Sequence, residues 1–364
     1  MSAAVRLAER GRYTTDPNPR VGGVVVQDGR AVGEGWHRRA GEPHAERLAL
    51  AAAGTAARRA TAYVTLEPCC HHGRTPPCTD ALLEAGISRV VVGMQDPNPL
   101  VAGEGIARLR AAGVRVDVRV LETEARALNP GFVRRMQTGR PYVRCKLAMS
   151  LDGRTAMASG ESRWITGEAA RRDVQRLRAG SSAIVTGVRT VLADDPSLNV
   201  RLAAAELPGV VGDDPLRQPL RVVLDSALRT PPQARLVGLP GRTLIVGAEA
   251  SPRRIEALQA AGAEVLMLPA ASDGRVALDA LLDALGRLEV NELLVEAGPT
   301  LAGAFLSSGL VDEFVVYVAA HVMGDAARGL FHMPGLTAMA DRAELVFQDV
   351  RQVGADLRIT AVRA

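Results

Sequence analysis

His44, Glu46, Cys69 and Cys78 put an imidazole, a carboxylate and two thiols close together in the first part of the chain. Zinc favours a tetrahedral shell of His nitrogen and Cys sulfur. Structural sites fill all four positions with protein, whereas catalytic sites take three and leave one for water. His44, Cys69 and Cys78 make three, and water in the remaining position has its pKa drawn toward neutrality. Glu46 lies two residues after the histidine, at the start of the helix-like run ERLALAAA, where its carboxylate can face that water without ligating the metal. The segment Pro68-Cys69-Cys70-His71-His72-Gly73-Arg74-Thr75-Pro76-Pro77-Cys78 also offers Cys70 and His71 as rival ligands. Cys69 is favoured because it directly follows the proline after strand-like TAYVTLE, and Cys78 because it opens helix-like CTDALLEAG.

The elements that must position these groups alternate between short strands and helices. After helix-like AAVRLAERG come VGGVVVQ and AVGEGWH, joined by Asp28-Gly29, whose tolerance of left-handed backbone suits a tight hairpin turn. The helix bearing His44 and Glu46 follows, then strand TAYVTL, the helix from Cys78, strand RVVVGM, helix GIARLRAAG and strand VRVDVRV. This is an α/β layered sheet with the candidate ligands at strand ends and helix starts, where ligands of open α/β sheets gather. The helical stretch LETEARALNPGFVRRMQTG, broken at Pro130, leads to Gly139-Arg140-Pro141, and strand signals resume at YVRCKLAMS. A domain boundary therefore falls near residue 140. Beyond it, SAIVTG, LRVVLD, TLIVG, AEVLMLP, NELLVEAG and DEFVVYVA are apolar, β-branched runs separated by helical segments, which predicts a mostly parallel sheet. ELVFQDV and DLRITAV would add antiparallel edges.

With 364 residues, two domains are the prior expectation. Aromatics at 3% argue against stacking of successive bases, and a net charge of +4 with arginines spread among acidic residues gives a nucleic-acid role poor support. No apolar run approaches a membrane span, so a membrane role is not expected and the cytoplasm is the default. Four cysteines, three of them clustered with histidines, suit a reducing compartment and a metal better than a disulfide framework.

A second constellation lies past the boundary. Among 44 basic residues only Lys146 is a lysine, in strand-like YVRCKLAMSLDG. Either it survives by chance or a compact ammonium is needed where a guanidinium would not fit. Glu296-Ala297-Gly298-Pro299-Thr300-Leu301-Ala302-Gly303 follows strand NELLV and opens a helix, whose N-terminal amides could hold a cofactor pyrophosphate. The same glycine would also serve simple turn chemistry.

The zinc deaminases of nucleobases share the first layout, an H-x-E followed by P-C in which the glutamate shuttles protons. Their usual P-C-x-x-C is replaced here by a longer insert that places Arg74, a planar fork suited to phosphate, between the ligands. More specifically, PNPRVGGVVV, GEGWHRRAGEPHAE, TLEPCCHHGRTPPC and MQDPNPLVAGEGI resemble the deaminase half of the bifunctional riboflavin-biosynthesis family. KLAMSLDGRTAMASGESRWIT, VLADDP and VEAGPTLAG are similar to its reductase half, and the match runs in order over nearly the whole chain. Relatives often carry serine or another small residue where this chain has Cys70.

The resemblance implies an α/β architecture with an N-terminal cytidine-deaminase-like layered domain, residues 1–140, and a C-terminal dihydrofolate-reductase-like domain, residues 141–364. It implies zinc and NADPH as cofactors. The implied reactions are hydrolytic deamination of 2,5-diamino-6-ribosylamino-4(3H)-pyrimidinone 5′-phosphate and reduction of the ribosyl group to ribityl. Asn18 would hold substrate in the first site, with His71, His72 and Arg74 as candidates for base and phosphate contacts. In the second site the resemblance implies cofactor contacts from Ala148, Trp164, Thr190, Asp194, Ser226, Gly298, Pro299, Thr300, Leu301, Ala302, Gly303 and Ala304. It implies substrate contacts from Lys146, Ser162, Arg178, Leu198, Arg201 and Glu296. Arg178 and Arg201 could neutralise a ribose phosphate, while Lys146 and Glu296 could read the pyrimidine edge. The partner implied is this small pyrimidine ribose phosphate, and the family adds an expectation of a homo-oligomer. The rival readings are a deaminase of another base, such as guanine, cytosine or a tRNA adenosine, and a zinc-stabilised binding module. The first leaves the second half without work; the second needs a fourth protein ligand.

Overall fold

The computed structural model describes residues 1–71, 76–99, 101–210 and 216–364, so His72 and Arg74 lie outside the described residues. The chain forms two compact units, Met1–Arg140 with Ala203–Pro215, and Pro141–Leu202 with Leu216–Ala364. The excursion at 203–215 is not marked in the sequence by anything beyond proline and glycine. Within its described part Gly209, at φ 85°, sits so close to α1's end that a Cβ would lie 2.0 Å from the Arg10 carbonyl oxygen. Among the described residues, no helix is long and apolar enough to cross a membrane.

The first unit runs α1 (Ser2–Glu9), β1 (Gly22–Gln27), β2 (Arg30–Trp36), α2 (Ala45–Ala53), β3 (Thr61–Leu66), α3 (Cys78–Glu84), β4 (Arg89–Met94), α4 (Glu104–Ala111), β5 (Arg115–Asp117), α5 (Glu122–Leu128) and α6 (Pro130–Thr138). Its sheet has the order β2-β1-β3-β4-β5, antiparallel across β2-β1-β3 and parallel across β3-β4-β5. Asp28 and Gly29, at φ 50° and 76°, close the β1–β2 hairpin, the double left-handed turn whose twist matches paired strands. Gly33 and Gly35 of β2 lie under α2, where a Cβ would meet the Ala49 and Ala45 carbonyl oxygens at 2.1 and 2.6 Å. Glycine on the strand and alanine on the helix thus seat α2 directly on the hairpin and fix its N-terminus. His44 stands one residue outside that helix, extended at φ −72°, ψ 163°. The expected strand VRVDVRV shrinks to the three residues of β5 at the sheet's edge. The break near Pro130 falls at Asn129, with Pro130 as the first helical residue of α6, where its missing N–H costs nothing.

The second unit runs β6 (Tyr142–Ser150), β7 (Arg154–Ala156), α7 (Glu168–Gly180), β8 (Ala183–Gly187), α8 (Val188–Asp194), β9 (Leu220–Leu224), α9 (Arg235–Gly238), β10 (Thr243–Gly247), α10 (Pro252–Ala260), β11 (Glu264–Met267), α11 (Leu278–Arg287), β12 (Glu292–Val295), α12 (Pro299–Ser307), β13 (Glu313–Ala319), β14 (Arg328–Gly329), β15 (Leu345–Val353) and β16 (Asp356–Arg363). β7 and β14 pair by themselves, and the rest form one sheet, β11-β10-β9-β8-β12-β6-β13-β16-β15. It is parallel from β11 to β13, and β16 and β15 add antiparallel strands. One side of β6 buries Val143, Cys145 and Leu147 with Leu281, Leu285 and Phe305, while Ala148 on the other packs with Ala170, Val174 and Tyr317. Burial on both sides is why these strands read as continuous apolar runs.

Candidate functional site

Three donor atoms converge in the first unit. His44 Nδ1 lies 3.6 Å from Cys69 Sγ and 3.3 Å from Cys78 Sγ, and all three ligand atoms fall within 4.8 Å of one another. With Zn–S near 2.3 Å and Zn–N near 2.0 Å, a tetrahedral ion separates nitrogen from sulfur by roughly 3.5 Å, so the donor set fits zinc. Among the described residues no fourth His, Cys, Asp or Glu joins the cluster; Cys70 is half-buried outside it and His71 is exposed. The ligands stand where helices begin: His44 immediately before α2 and Cys78 as the first residue of α3. The Cys78 N–H donates to Cys69 Sγ at 3.3 Å, tying the two together.

The two thiols share one hydrogen bond unequally. The bond from Cys78, aided against burial by His44, holds Cys69 well below the usual thiol range, and the same bond with burial pushes Cys78 up. The hydrogen bond to Cys69 outweighs burial at His44 and raises its imidazole. Glu46 is 4% exposed, and burial pushes its carboxyl up against the pull of His44. Among the described residues, its buried Oε2 has no hydrogen-bond partner. A buried carboxylate oxygen without a partner costs stability, and this one stands close to the three donors, whose charges bear on it.

Two residues that the sequence reading did not single out hold this centre. His37, 2% exposed, packs edge-on to His44 with centroids 5.3 Å apart. With its Nδ1–H toward the Pro43 carbonyl oxygen at 3.3 Å, its Nε2 accepts from the Asn18 side-chain amide at 3.1 Å. Burial lowers its pKa despite the bond to Pro43, with His44 adding to the effect, which favours the neutral ring. Asn18 is thereby linked through His37 to His44, and its loop is anchored by Asn129, which bonds both the N–H and the carbonyl of Arg20 at 2.7 and 2.9 Å. The clue to His37 is that four of the chain's 6 histidines fall between residues 37 and 72. The second is Glu67, 3% exposed, two residues before Cys69. Its carboxylate accepts the N–H groups of Asp96, Gly103 and Ile106 at 3.1, 3.0 and 3.1 Å. Gly105 lets the Pro68 carbonyl approach to where a Cβ would lie 2.1 Å away, so the Pro68-Cys69 turn is clamped to the start of α4.

In the second unit, β9, β8, β12 and β6 are consecutive parallel strands, and the residues expected to meet cofactor follow their carboxyl ends or lie near them. Ser226 follows β9, Thr190 and Asp194 lie on α8 after β8, Gly298 follows β12, and Ala148 is on β6. This is the edge at which open α/β sheets bind ligands. α8 and α12 begin side by side, since a Cβ on Gly187 would lie 3.7 Å from Leu301 Cδ2. Arg163, between Ser162 and Trp164, donates to the Asp194 carbonyl oxygen at 2.7 Å, and Trp164 is 70% exposed beneath the Arg171 guanidinium. The segment from Gly298 to Ala304 is helical from Pro299 onward, as its place after a strand predicts, and Ala302 and Gly303 face the interior. A Cβ at Gly303 would meet the His332 carbonyl oxygen at 2.4 Å, so the open backbone is at Gly298, where nothing crowds it.

Lys146, Arg178 and Glu296 form one charged cluster. Arg178 grips Glu296 with two bonds, Nε to Oε1 at 2.6 Å and Nη2 to Oε2 at 2.9 Å, and donates through Nη1 to the Asn199 carbonyl oxygen at 3.1 Å. Burial alone would raise Glu296, but Arg178, with Lys146 and Arg201, holds it below the ordinary carboxylate value. Burial lowers the Lys146 ammonium against the pull of Glu296. Arg201 is exposed, its Nη1 3.2 Å from Asn199 Oδ1. Leu198 is buried against Ile184 and Leu294 at φ 47°, so its side chain belongs to the core.

Three converged His and Cys donors beside a buried carboxyl group, in one chain with a mostly parallel sheet, are the features of a zinc deaminase fused to a reductase. Residues 1–94 match the family model of the cytidine and deoxycytidylate deaminase zinc-binding region, and residues 141–359 that of the RibD C-terminal domain. The chain is 52% identical to the riboflavin biosynthesis protein RibD of Escherichia coli, over 100% of this chain and 98% of that protein. It superposes on Acinetobacter baumannii RibD with TM-score 0.91 and 45% identity, covering 100% of this chain and 97% of that one. The Thermotoga maritima diaminohydroxyphosphoribosylaminopyrimidine deaminase/5-amino-6-(5-phosphoribosylamino)uracil reductase gives TM-score 0.85 and 32% identity at the same coverage. The chain belongs to the RibD family of riboflavin biosynthesis enzymes, which combine a zinc-binding deaminase domain with an NADPH-dependent reductase domain.

Proposed function

We propose that residues 1–140 deaminate 2,5-diamino-6-ribosylamino-4(3H)-pyrimidinone 5′-phosphate and that residues 141–364 reduce the ribosyl group of the product to ribityl. The observation that carries the first half is Glu46, buried beside three converged metal donors with one oxygen left without a partner. His44, Cys69 and Cys78 hold zinc, which supplies the Lewis acidity that makes water a nucleophile near neutral pH. Glu46 takes the proton that water gives up as it adds to the amine-bearing carbon, then passes a proton to the departing ammonia. Asn18, oriented by His37, holds the pyrimidine, and His71 and Arg74 contact base and phosphate.

In the second unit NADPH, when bound, would supply the hydride for reduction at the sugar C1′ of the opened, imine-like form. Gly298 and the first turn of α12, with Ala148, Trp164, Thr190, Asp194 and Ser226, hold the cofactor along the strand ends. Lys146 presents its ammonium to substrate, with Ser162, Arg201 and the backbone of Leu198 completing the contacts. Arg178 acts chiefly by orienting Glu296, since three of its five N–H donors are engaged. The same reading includes self-association and a small-molecule partner, with no part for nucleic acid. Incubating the purified full chain with the diaminopyrimidine phosphate and NADPH tests it: ammonia release followed by loss of NADPH absorbance is expected. Ammonia without NADPH oxidation would confine the reading to the first unit, and neither signal from zinc-loaded protein would overturn it.

A further inference from the structure

Ser162 and Trp164, expected to meet substrate and cofactor, sit on a segment that the large sheet does not hold directly. It is entered from β7, and β7 with β14 forms a two-stranded ribbon that, among the described residues, pairs with no strand of the large sheet. After β7 the chain turns tightly, with the Met157 N–H bonded to the Glu161 carbonyl oxygen at 2.8 Å and the Gly160 N–H to that of Met157 at 2.9 Å. This turn lies against β14, since a Cβ on Gly160 would stand 3.3 Å from Arg328 Nη2. Where Ser162 and Trp164 are held therefore depends on where the ribbon stands.

Asp152 ties the two legs of the ribbon together as they leave the sheet. From the turn between β6 and β7, its carboxylate accepts the N–H groups of Met323 at 3.1 Å and Gly324 at 2.8 Å, which belong to the segment between β13 and β14. It also accepts the hydroxyl of Ser150, the last residue of β6. Beside it the Leu151 N–H bonds the His321 carbonyl oxygen at 2.8 Å. Leu151 and Val322 are 68% and 69% exposed, so apolar packing adds little at this junction and the polar bonds hold it. The Ser150 hydroxyl, followed by the two amides, keeps the Asp152 carboxyl below its ordinary value, and a charged acceptor makes such bonds stronger than a neutral one. We propose that Asp152 is a positioning residue of the reductase, a clamp between the turn after β6 and the segment after β13 that keeps Ser162 and Trp164 aligned with the strand ends that receive cofactor and substrate. This rests on the reductase function proposed for the second unit. Without the clamp the ribbon takes up more positions and ligands bind only the aligned one. Apparent affinity then falls with the aligned fraction, while the complex once formed still turns over.

Steady-state kinetics of the full-length protein on NADPH and the deaminated pyrimidine phosphate test the clamp, with ammonia release and thermal melting as controls for folding. Asp152→Asn keeps the shape but replaces one acceptor oxygen with a nitrogen that cannot accept. Both KM values should rise about tenfold, as for an aligned fraction of roughly one in ten, while kcat changes less than about threefold. Ser150→Ala, a milder change that removes one donor from the same carboxylate, should shift KM in the same direction. Quenching of tryptophan emission by NADPH alone, which needs no turnover, should show the same weakening. Wild-type protein that neither binds nor oxidises NADPH would end the reductase reading and this inference with it. An active wild type whose Asp152→Asn variant keeps both KM values within about twofold, or loses kcat and thermal stability with KM unchanged, would overturn the inference alone.

Discussion

Glu46 has one role in this account, which is to move protons between water and the leaving ammonia. Glu46→Gln keeps the shape and loses the proton carrier, so ammonia release should fall about 10²–10⁴-fold, while reduction of the preformed deaminated intermediate continues; loss of both in parallel would contradict the assignment. Lys146→Arg is the reciprocal case. The bulkier planar fork should displace the substrate beside Glu296 and cut reductase turnover roughly 10²-fold, leaving ammonia release intact, as a coupled assay on each substrate would read. The convergence of His44, Cys69 and Cys78 was legible in the sequence because zinc accepts few residue types at few spacings. His37 and Glu67 were not, because what gives each its role is a set of backbone atoms from distant segments: the Pro43 carbonyl for one, the amides of Asp96, Gly103 and Ile106 for the other. Residue type alone does not announce such partners.

The elements act as mounts. α2 is seated by glycines on β2, and the Cys69 turn is seated by Glu67 on the start of α4. Glu67→Ala would leave three N–H groups without an acceptor, two of them in buried bonds that each cost about 1–3 kcal/mol to lose. The first unit should therefore melt lower and lose zinc faster to a chelator than wild type, with reductase activity little changed. Unaltered zinc retention would show that the clamp is incidental. Apolar runs such as β8, β10 and β13 were readable at once, since burial on both sides leaves an almost unbroken signature. β7 and β14 were not, because strands of three and two residues carry no period to detect. The interior position of Ala302 and Gly303 was hidden for a similar reason: small residues suit both an open cofactor loop and a helix pressed on the His332 carbonyl.

At the scale of the whole molecule, two units carry two chemistries, and the excursion at 203–215 belongs with the first although it interrupts the second in sequence. Its signals, proline and glycine without periodicity, specify a loop but not the surface on which the loop lies. Acid response should separate the units. In the second, the folded Glu296 binds a proton less readily than its ordinary value of 4.5. Its contribution to stability is thus complete above that value and is lost as pH falls below it. Melting of the reductase unit should drop as pH is lowered through this range, and the drop should be shallower in Glu296→Gln; equal slopes would remove Glu296 from the explanation.

The most direct measurement of the central claim, that three side chains hold the metal while Glu46 stands beside it as proton carrier, is the zinc content per chain across a small set of variants. One zinc is expected in the wild type and in the Glu46→Gln variant, and none in Cys69→Ser or Cys78→Ser. Zinc lost with Glu46, or retained without either cysteine, would contradict the account.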